Sequence, residues 1–203
     1  MYNSDKLDNK KLKDFTYILF YKPFNVICQF SPEGEKITLK EFIKIPEIYP
    51  VGRLDTDSEG LIILTDDNQL KQILTEPRYK SEKTYFVQVE GLPTPQSLKI
   101  LEQGVLIGDY RTLPAKAKIL NQEPKLPLRD PPIRFRKNIP TTWLEIKIKE
   151  GKNRQIRKMT ASIGYPTLRL VRAKIKGVEI DQLIPGEYRF LQKKEIIDLM
   201  KYQ

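Results

Sequence analysis

The run GLIILT, Gly60 to Thr65, has no charged side chain and no alternation, and carboxylates stand on both sides of it. A short apolar run of that kind, bounded by polar residues, is a strand buried within a sheet. The chain must therefore supply strands and covering elements to either side of it. The surrounding segment, VGRLDTDSEGLIILTDD (51–67), also sets five carboxylates close to one Arg. Asp55, Asp57, Glu59, Gly60, Ile62 and Asp66 fall at positions 1, 3, 5, 6, 8 and 12 of a calcium-type loop. Alternatively, one carboxylate is a catalytic group presented between strands.

The calcium reading needs a helix entering the loop, and Pro46, Pro50 and Gly52 argue against one. Asp66 is also shorter than the Glu expected at the last position, and no second such loop follows. The spacing is therefore read as coincidence, and no metal is expected. Asp57, Glu59, Asp66 and Asp67 read as a solvated turn and a helix cap. Asp55 differs, because it follows Leu54 at the start of an apolar segment. A carboxylate there is partly desolvated and needs a partner. Arg53 and Arg157 are candidates, and the sequence leaves both open.

TYILFYKP reads as an apolar strand stopped at Pro23. ITLKEFIKI reads as a short helix ended by Pro46. Asp66 or Asp67 can cap a helix through NQLKQIL, with Leu70, Ile73 and Leu74 on its inner face. KTYFVQVEG alternates, with Tyr85, Val87 and Val89 on one face. TPQSLKILEQG reads as a helix with Gly104 just past its end. Residues 121–141, rich in Pro and basic side chains, form an irregular connection. TTWLEIKIKEG is a strand, and RQIRKMTASI a helix capped by Asn153 with Ile156, Met159 and Ile163 buried. TLRLVRAKIKG returns as a basic-edged strand, and KKEIIDLMKY is a last helix. Strands and helices are interspersed without a regular βαβ rhythm, so a mixed α+β sheet with peripheral helices is expected.

Chemistry is narrowed by what is missing. There is no His and one Cys. That excludes a His base, a Ser-His-Asp triad and His- or thiolate-ligated zinc, and leaves carboxylate, Tyr, Lys or Cys28 for acid–base or nucleophilic work. The lone Cys28 fits a reducing compartment, and no run approaches the ~20 apolar residues of a membrane helix. A cytoplasmic protein without membrane attachment is expected.

The net charge of +10 is segregated. From Arg129 to Lys176 there are 14 Lys and Arg against 3 Asp and Glu, a net of +11, whereas the remainder carries 22 against 23, a net of −1. A block of that kind is the footprint of a polyanion, here nucleic acid.

Read together, the motifs resemble one family. GRLDTDSEGLIILTDD resembles the catalytic signature of pseudouridine synthases of the RsuA type, in which the Asp after Gly-Arg-Leu is essential. YKPFNV is similar to their first motif, KTYFVQVEG to the segment with the active-site Tyr, and EGKNRQIRKMTASIGYPTLRLVR to their third. Within that family, QFSPEGEKITLKEFI and DPPIRFRKNIPTTWL are most like members acting on large-subunit ribosomal RNA. The resemblance covers roughly residues 17 to 190 in the family's order.

The resemblance implies the pseudouridine synthase α+β fold, with a mainly antiparallel mixed sheet and two lobes around a cleft. It implies one catalytic domain, 16–203, after a polar tail, 1–15, without the N-terminal S4-type RNA-binding domain that relatives usually carry. Ser58 stands where many relatives have Thr. The implied reaction turns uridine in RNA into its C5-linked isomer; no oxidation state changes, so no cofactor is expected. Asp55 is then the nucleophile or the base acting at the ribose, and Arg157 is its partner. Tyr85 stacks on the flipped base or relays the C5 proton, and Leu170 or Val171 forms the apolar floor. Arg53 contacts the RNA near the target. Arg129, Arg134, Arg136, Lys137, Lys152, Arg154, Lys158, Arg169, Arg172 and Lys174 include the phosphate contacts. The base must be extruded, which is cheapest from unpaired RNA, so a hairpin or junction of large-subunit ribosomal RNA is the expected partner of a monomeric enzyme.

Overall fold

The computed structural model describes residues 15–133 and 138–201. The polar tail before Phe15, and Arg134, Arg136 and Lys137, lie outside the described residues. In chain order the elements are β1 (Tyr17–Lys22), β2 (Tyr49–Pro50), β3 (Glu59–Thr65), α1 (Asn68–Thr75), β4 (Lys83–Glu90), α2 (Pro95–Glu102), β5 (Leu106–Ile107), β6 (Tyr110–Arg111), β7 (Lys116–Ile119), β8 (Thr141–Ile148), α3 (Gln155–Ser162), β9 (Thr167–Ile175), β10 (Val178–Glu179), β11 (Tyr188–Phe190) and α4 (Lys193–Met200).

One sheet runs β11-β1-β3-β9-β4-β8-β7, with β2 beside β3 and β10 beside β9; β5 and β6 form a separate small hairpin. All its pairings are antiparallel except β3 with β9, which is parallel. That one parallel pair brings the start of β3, and the acidic segment before it, against the middle of β9. β3 is buried along its whole length, as a continuous apolar run requires.

Two apolar layers cover the sheet. Leu98 and Leu101 of α2 and Ile156 and Met159 of α3 pack on one side with Tyr85, Val87, Val89 and Leu144. Leu70, Ile73 and Leu74 of α1 and Ile196, Leu199 and Met200 of α4 pack on the other with Leu19, Leu61, Ile63 and Val171. Asp67 caps α1, its carboxylate accepting from the N–H groups of Gln69 and Leu70 at 2.8 and 3.3 Å. Gly104, at φ +79°, follows α2, which Thr94 and Ser97 begin with a reciprocal capping box.

Three local expectations are corrected. The segment ITLKEFIKI makes only one 3₁₀ turn, Leu39–Glu41, capped by Thr38. α3 is not capped by Asn153; its N-cap is Arg154, held at φ 52° with no side-chain cap. β9 is no basic-edged strand but lies between β3 and β4, which puts Arg169 and Arg172 in the interior. No helix among the described residues is long and apolar enough to cross a membrane.

Candidate active site

Asp55 lies in the turn that feeds β3, where the Ser58 N–H donates to the Asp55 carbonyl at 3.0 Å. The turn is fixed from two directions. Lys22, fully buried at the end of β1, donates its ammonium to the carbonyls of Pro23 and Val26 at 2.7 Å and of Thr56 at 3.3 Å. Gly60, at φ +105°, lies so close to β9 that a Cβ there would stand 2.4 Å from the Arg172 carbonyl oxygen. Glycine is therefore required where the acidic turn docks on the sheet.

An open cleft of about 940 Å³ runs along this turn. Asp55, Tyr85, Leu170, Arg172, Arg53 and Lys152 all line it, as do Lys83 and Ser58. Tyr85 is 8% exposed and faces Arg172 across the β4–β9 pair. Leu170 belongs to the apolar layer beneath Tyr85. Val171 points the other way, into the layer with Leu61 and Ile63, so of the two only Leu170 lines the cleft.

The expected Asp55–Arg157 ion pair is not formed. Arg154 is the cation nearest the Asp55 carboxylate, with Nη1 at 3.8 Å. Arg154 also grips Asp57 with two hydrogen bonds of 3.0 and 2.8 Å. Arg157 goes to Asp57 as well, donating to its carbonyl at 2.7 Å and placing Nε 3.4 Å from its carboxylate. Burial works against ionisation of Asp57. The Arg154 hydrogen bond and the charges of both arginines outweigh it, so the Asp57 carboxyl sits below its usual range. Asp57 is thus an organiser of the cations beside Asp55 and no solvated turn residue.

Glu59, also expected in a solvated turn, is 1% exposed and takes both of its oxygens to Arg169, at 2.9 and 2.8 Å. Arg169 further donates to the Pro127 carbonyl, which draws the proline-rich connection across the sheet. Arg169 is therefore an interior residue and no phosphate contact. Lys174 is paired with Glu179 at 2.5 Å. Arg129 lies over the Phe24 ring, 4.2 Å from its centroid, and Lys152 over the Tyr110 ring at 4.6 Å; Arg53, Lys152 and Lys158 are exposed.

Sequence reasoning missed a second support. Glu150, 6% exposed, accepts from the Tyr110 hydroxyl at 2.5 Å, from the Leu113 N–H at 2.9 Å and from the Gln155 amide. Gln155 in turn accepts from the Lys152 N–H at 2.9 Å. This network fixes the loop that carries Arg154, whose left-handed backbone turns its side chain toward the two acids. The calcium spacing has no meaning in three dimensions. Positions 5 to 11 of that loop form β3, so Glu59 and Asp66 stand roughly 23 Å apart at a strand's rise per residue.

The turn offers the cleft one carboxylate free of a bidentate grip, beside guanidinium groups, an aromatic wall and an apolar surface, with exposed cations at its edge. A profile for RNA pseudouridylate synthases matches residues 16–162. The chain is 49% identical over 187 residues to ribosomal large subunit pseudouridine synthase E of Vibrio vulnificus, covering 92% of this chain and 80% of that protein. It is 51% identical over 170 residues to the synthase of the same name from Xanthomonas axonopodis pv. citri, covering 83% and 90%. In fold it matches a crystal structure of a pseudouridylate synthase with a TM-score of 0.77 and 29% identity, covering 91% of this chain and 74% of that one.

Proposed function

The chain belongs to the RNA pseudouridylate synthase family, and on that premise we propose that it converts one uridine of large-subunit ribosomal RNA into pseudouridine, with Asp55 as the reacting carboxylate. The observation that carries the assignment of Asp55 is its place. Among the carboxylates at the start of β3, it is the one that lines the cleft without being tied up in a bidentate grip.

The flipped base enters the cleft between Tyr85 and Leu170. The ribose then lies at Asp55, which acts on it either as nucleophile or as base. Arg154, with Arg157 behind it through Asp57, keeps the carboxylate aimed. Arg53 and Lys152, exposed on the cleft lining, meet the phosphates, with Lys158 and Arg129 as further cations for the RNA backbone. The target is an unpaired uridine in a stem-loop or junction, and the enzyme acts as a monomer in the cytoplasm.

Tritium release from RNA labelled at uridine C5 tests this reading, using large-subunit ribosomal RNA that lacks its natural pseudouridines. Wild type is expected to release tritium at one mapped position and Asp55→Asn to release none while still binding. If wild type binds the RNA and releases nothing, the protein is an RNA-binding module and the isomerase reading falls.

A further inference from the structure

Two cations on the cleft wall are left over once the site above is described. Lys83 lies two residues before Tyr85 on β4. Its neighbour across β8 is Ile148, as that of Tyr85 is Ile146, so both side chains leave the strand on the cleft side. Arg172 is the residue opposite Tyr85 on β9. It is 5% exposed, and its Nε donates to the Leu61 carbonyl at 2.7 Å. Its Nη2 is buried and has no partner among the described residues. The Lys83 ammonium makes no hydrogen bond or ion pair with the described residues. Burial, with Arg172 and Lys176 nearby, pushes its ammonium down to about 8. Two desolvated cations without an acid between them are costly to the fold, and such an arrangement persists where a ligand completes it.

We propose that Lys83 and Arg172 are further catalytic residues, which hold the carbonyl oxygens of the uracil while it is detached and negatively charged. This rests on the isomerase reading above and deepens it. When the C1′–N1 bond breaks, its electron pair stays on the uracil and spreads over N1, O2 and O4. The electron deficiency at C1′ is met by Asp55, which bonds to it or takes a proton from C2′ and returns it. After the ring turns, C5 gives a pair to C1′, its proton leaves to water, and N1 takes up a proton. The product is an isomer. Between those steps the uracil carries a full negative charge, and donors fixed beforehand in a desolvated wall stabilise that charge most. The phosphates of the RNA fit this position poorly. They stay on the outer backbone within reach of Arg53, Lys152 and Lys158, whereas Lys83 and Arg172 flank Tyr85 on the wall where a flat base lies.

The test compares the single-turnover loss of the N1-linked nucleoside from uridine RNA and from the same RNA with 5-fluorouridine at the target, by wild type, Lys83→Met and Lys83→Arg. In 5-fluorouridine C5 has no proton to shed, so only detachment and re-attachment are read. Fluorine makes the departing anion more stable, so it depends less on outside help. Lys83→Met is expected to slow uridine conversion about 100-fold and 5-fluorouridine conversion about 10-fold, as for loss of one preorganised donor. Its affinity for the RNA should change by less than about two-fold, and Lys83→Arg should recover most of the rate. Thermal melting accompanies each variant. The inference is overturned, with the isomerase reading intact, if wild type is active and Lys83→Met is equally fast. Equal slowing on both substrates, or loss of RNA affinity in proportion to the loss of rate, overturns it as well. An inactive wild type overturns the isomerase reading itself.

Discussion

Asp55 and Glu59 stand four residues apart, and each has an arginine opposite, yet the two pairs differ in kind. Glu59 and Arg169 keep only 2% and 7% of their side chains exposed, and two short hydrogen bonds use up the carboxylate. Asp55 keeps 31% of its side chain exposed to the cleft, and its nearest cation stands 3.8 Å away. The buried acid is saturated with donors and serves to pin β3 to β9. The open acid has oxygens to spare, and only its charge is held in place. Asp57, 35% exposed yet held by two arginines, stands between them in how far its oxygens are used.

Exchanging the roles of the two pairs breaks this comparison most sharply. Asp55→Asn should lower single-turnover conversion by about 10,000-fold, as for removal of a reacting group, with an unchanged melting temperature. Glu59→Gln should do the reverse. It leaves Arg169 charged in the interior, costs about 3–5 kcal/mol in a denaturant titration, and spares the rate constant of whatever enzyme stays folded. Should Glu59→Gln melt like wild type, the pinning role is wrong. Arg154→Gln sharpens the middle of the series: about 10-fold loss of rate is expected, a single charge-assisted contact, against less than about 1 kcal/mol of stability, because the pair is partly exposed.

Lys83 supplies a smaller effect of opposite sign. Its folded value of about 8 lies below the ordinary 10.5, so below pH 8 the protein bears the full cost of burying the charge. That cost fades as pH rises from 8 toward 10.5. Lys83→Met should therefore raise stability at neutral pH by about 1 kcal/mol while it lowers activity, the trade expected at a catalytic position. The smallest effect concerns Asp57, whose carboxyl is held below its ordinary 3.8. Its contribution is present above about pH 4 and is lost as pH falls through the lowered folded value, so Asp57→Asn should flatten the acid limb of the stability profile slightly.

Lys22 makes the same point about lysines that Glu59 makes about acids. Like Lys83, it is pushed down to about 8 by burial, but three carbonyls accept from it. It is a structural cation that ties β1 to the Asp55 turn, whereas Lys83 has no such set of acceptors.

Much of this was legible along the chain, because local patterning carries it. The apolar run 60–65 had to be an interior strand, a cap at Asp66 or Asp67 follows from their place before NQLKQIL, and Tyr85 shares its face with Val87 and Val89 by alternation. The acid of GRLD, the Tyr of KTYF and the arginine-bearing helix could be named as one site from their motifs. Alternation also held an unread signal: Lys83 stands two residues before Tyr85 on one strand, and so on its face.

What the linear order could not decide was which charge meets which. The parallel β3–β9 pair joins residues more than a hundred positions apart and brings Arg169 to Glu59, and the β4–β9 register sets Arg172 opposite Tyr85. The same register sends Val171 to the opposite layer from Leu170. The left-handed turn at Arg154 hands that side chain to Asp55 and Asp57, and of these two acids Arg157 meets only Asp57. Sequence determines which residues can be buried and which are charged, since both are properties of single side chains and their spacing. Pairing and desolvation depend on distances across strands, and only the tertiary structure decides them.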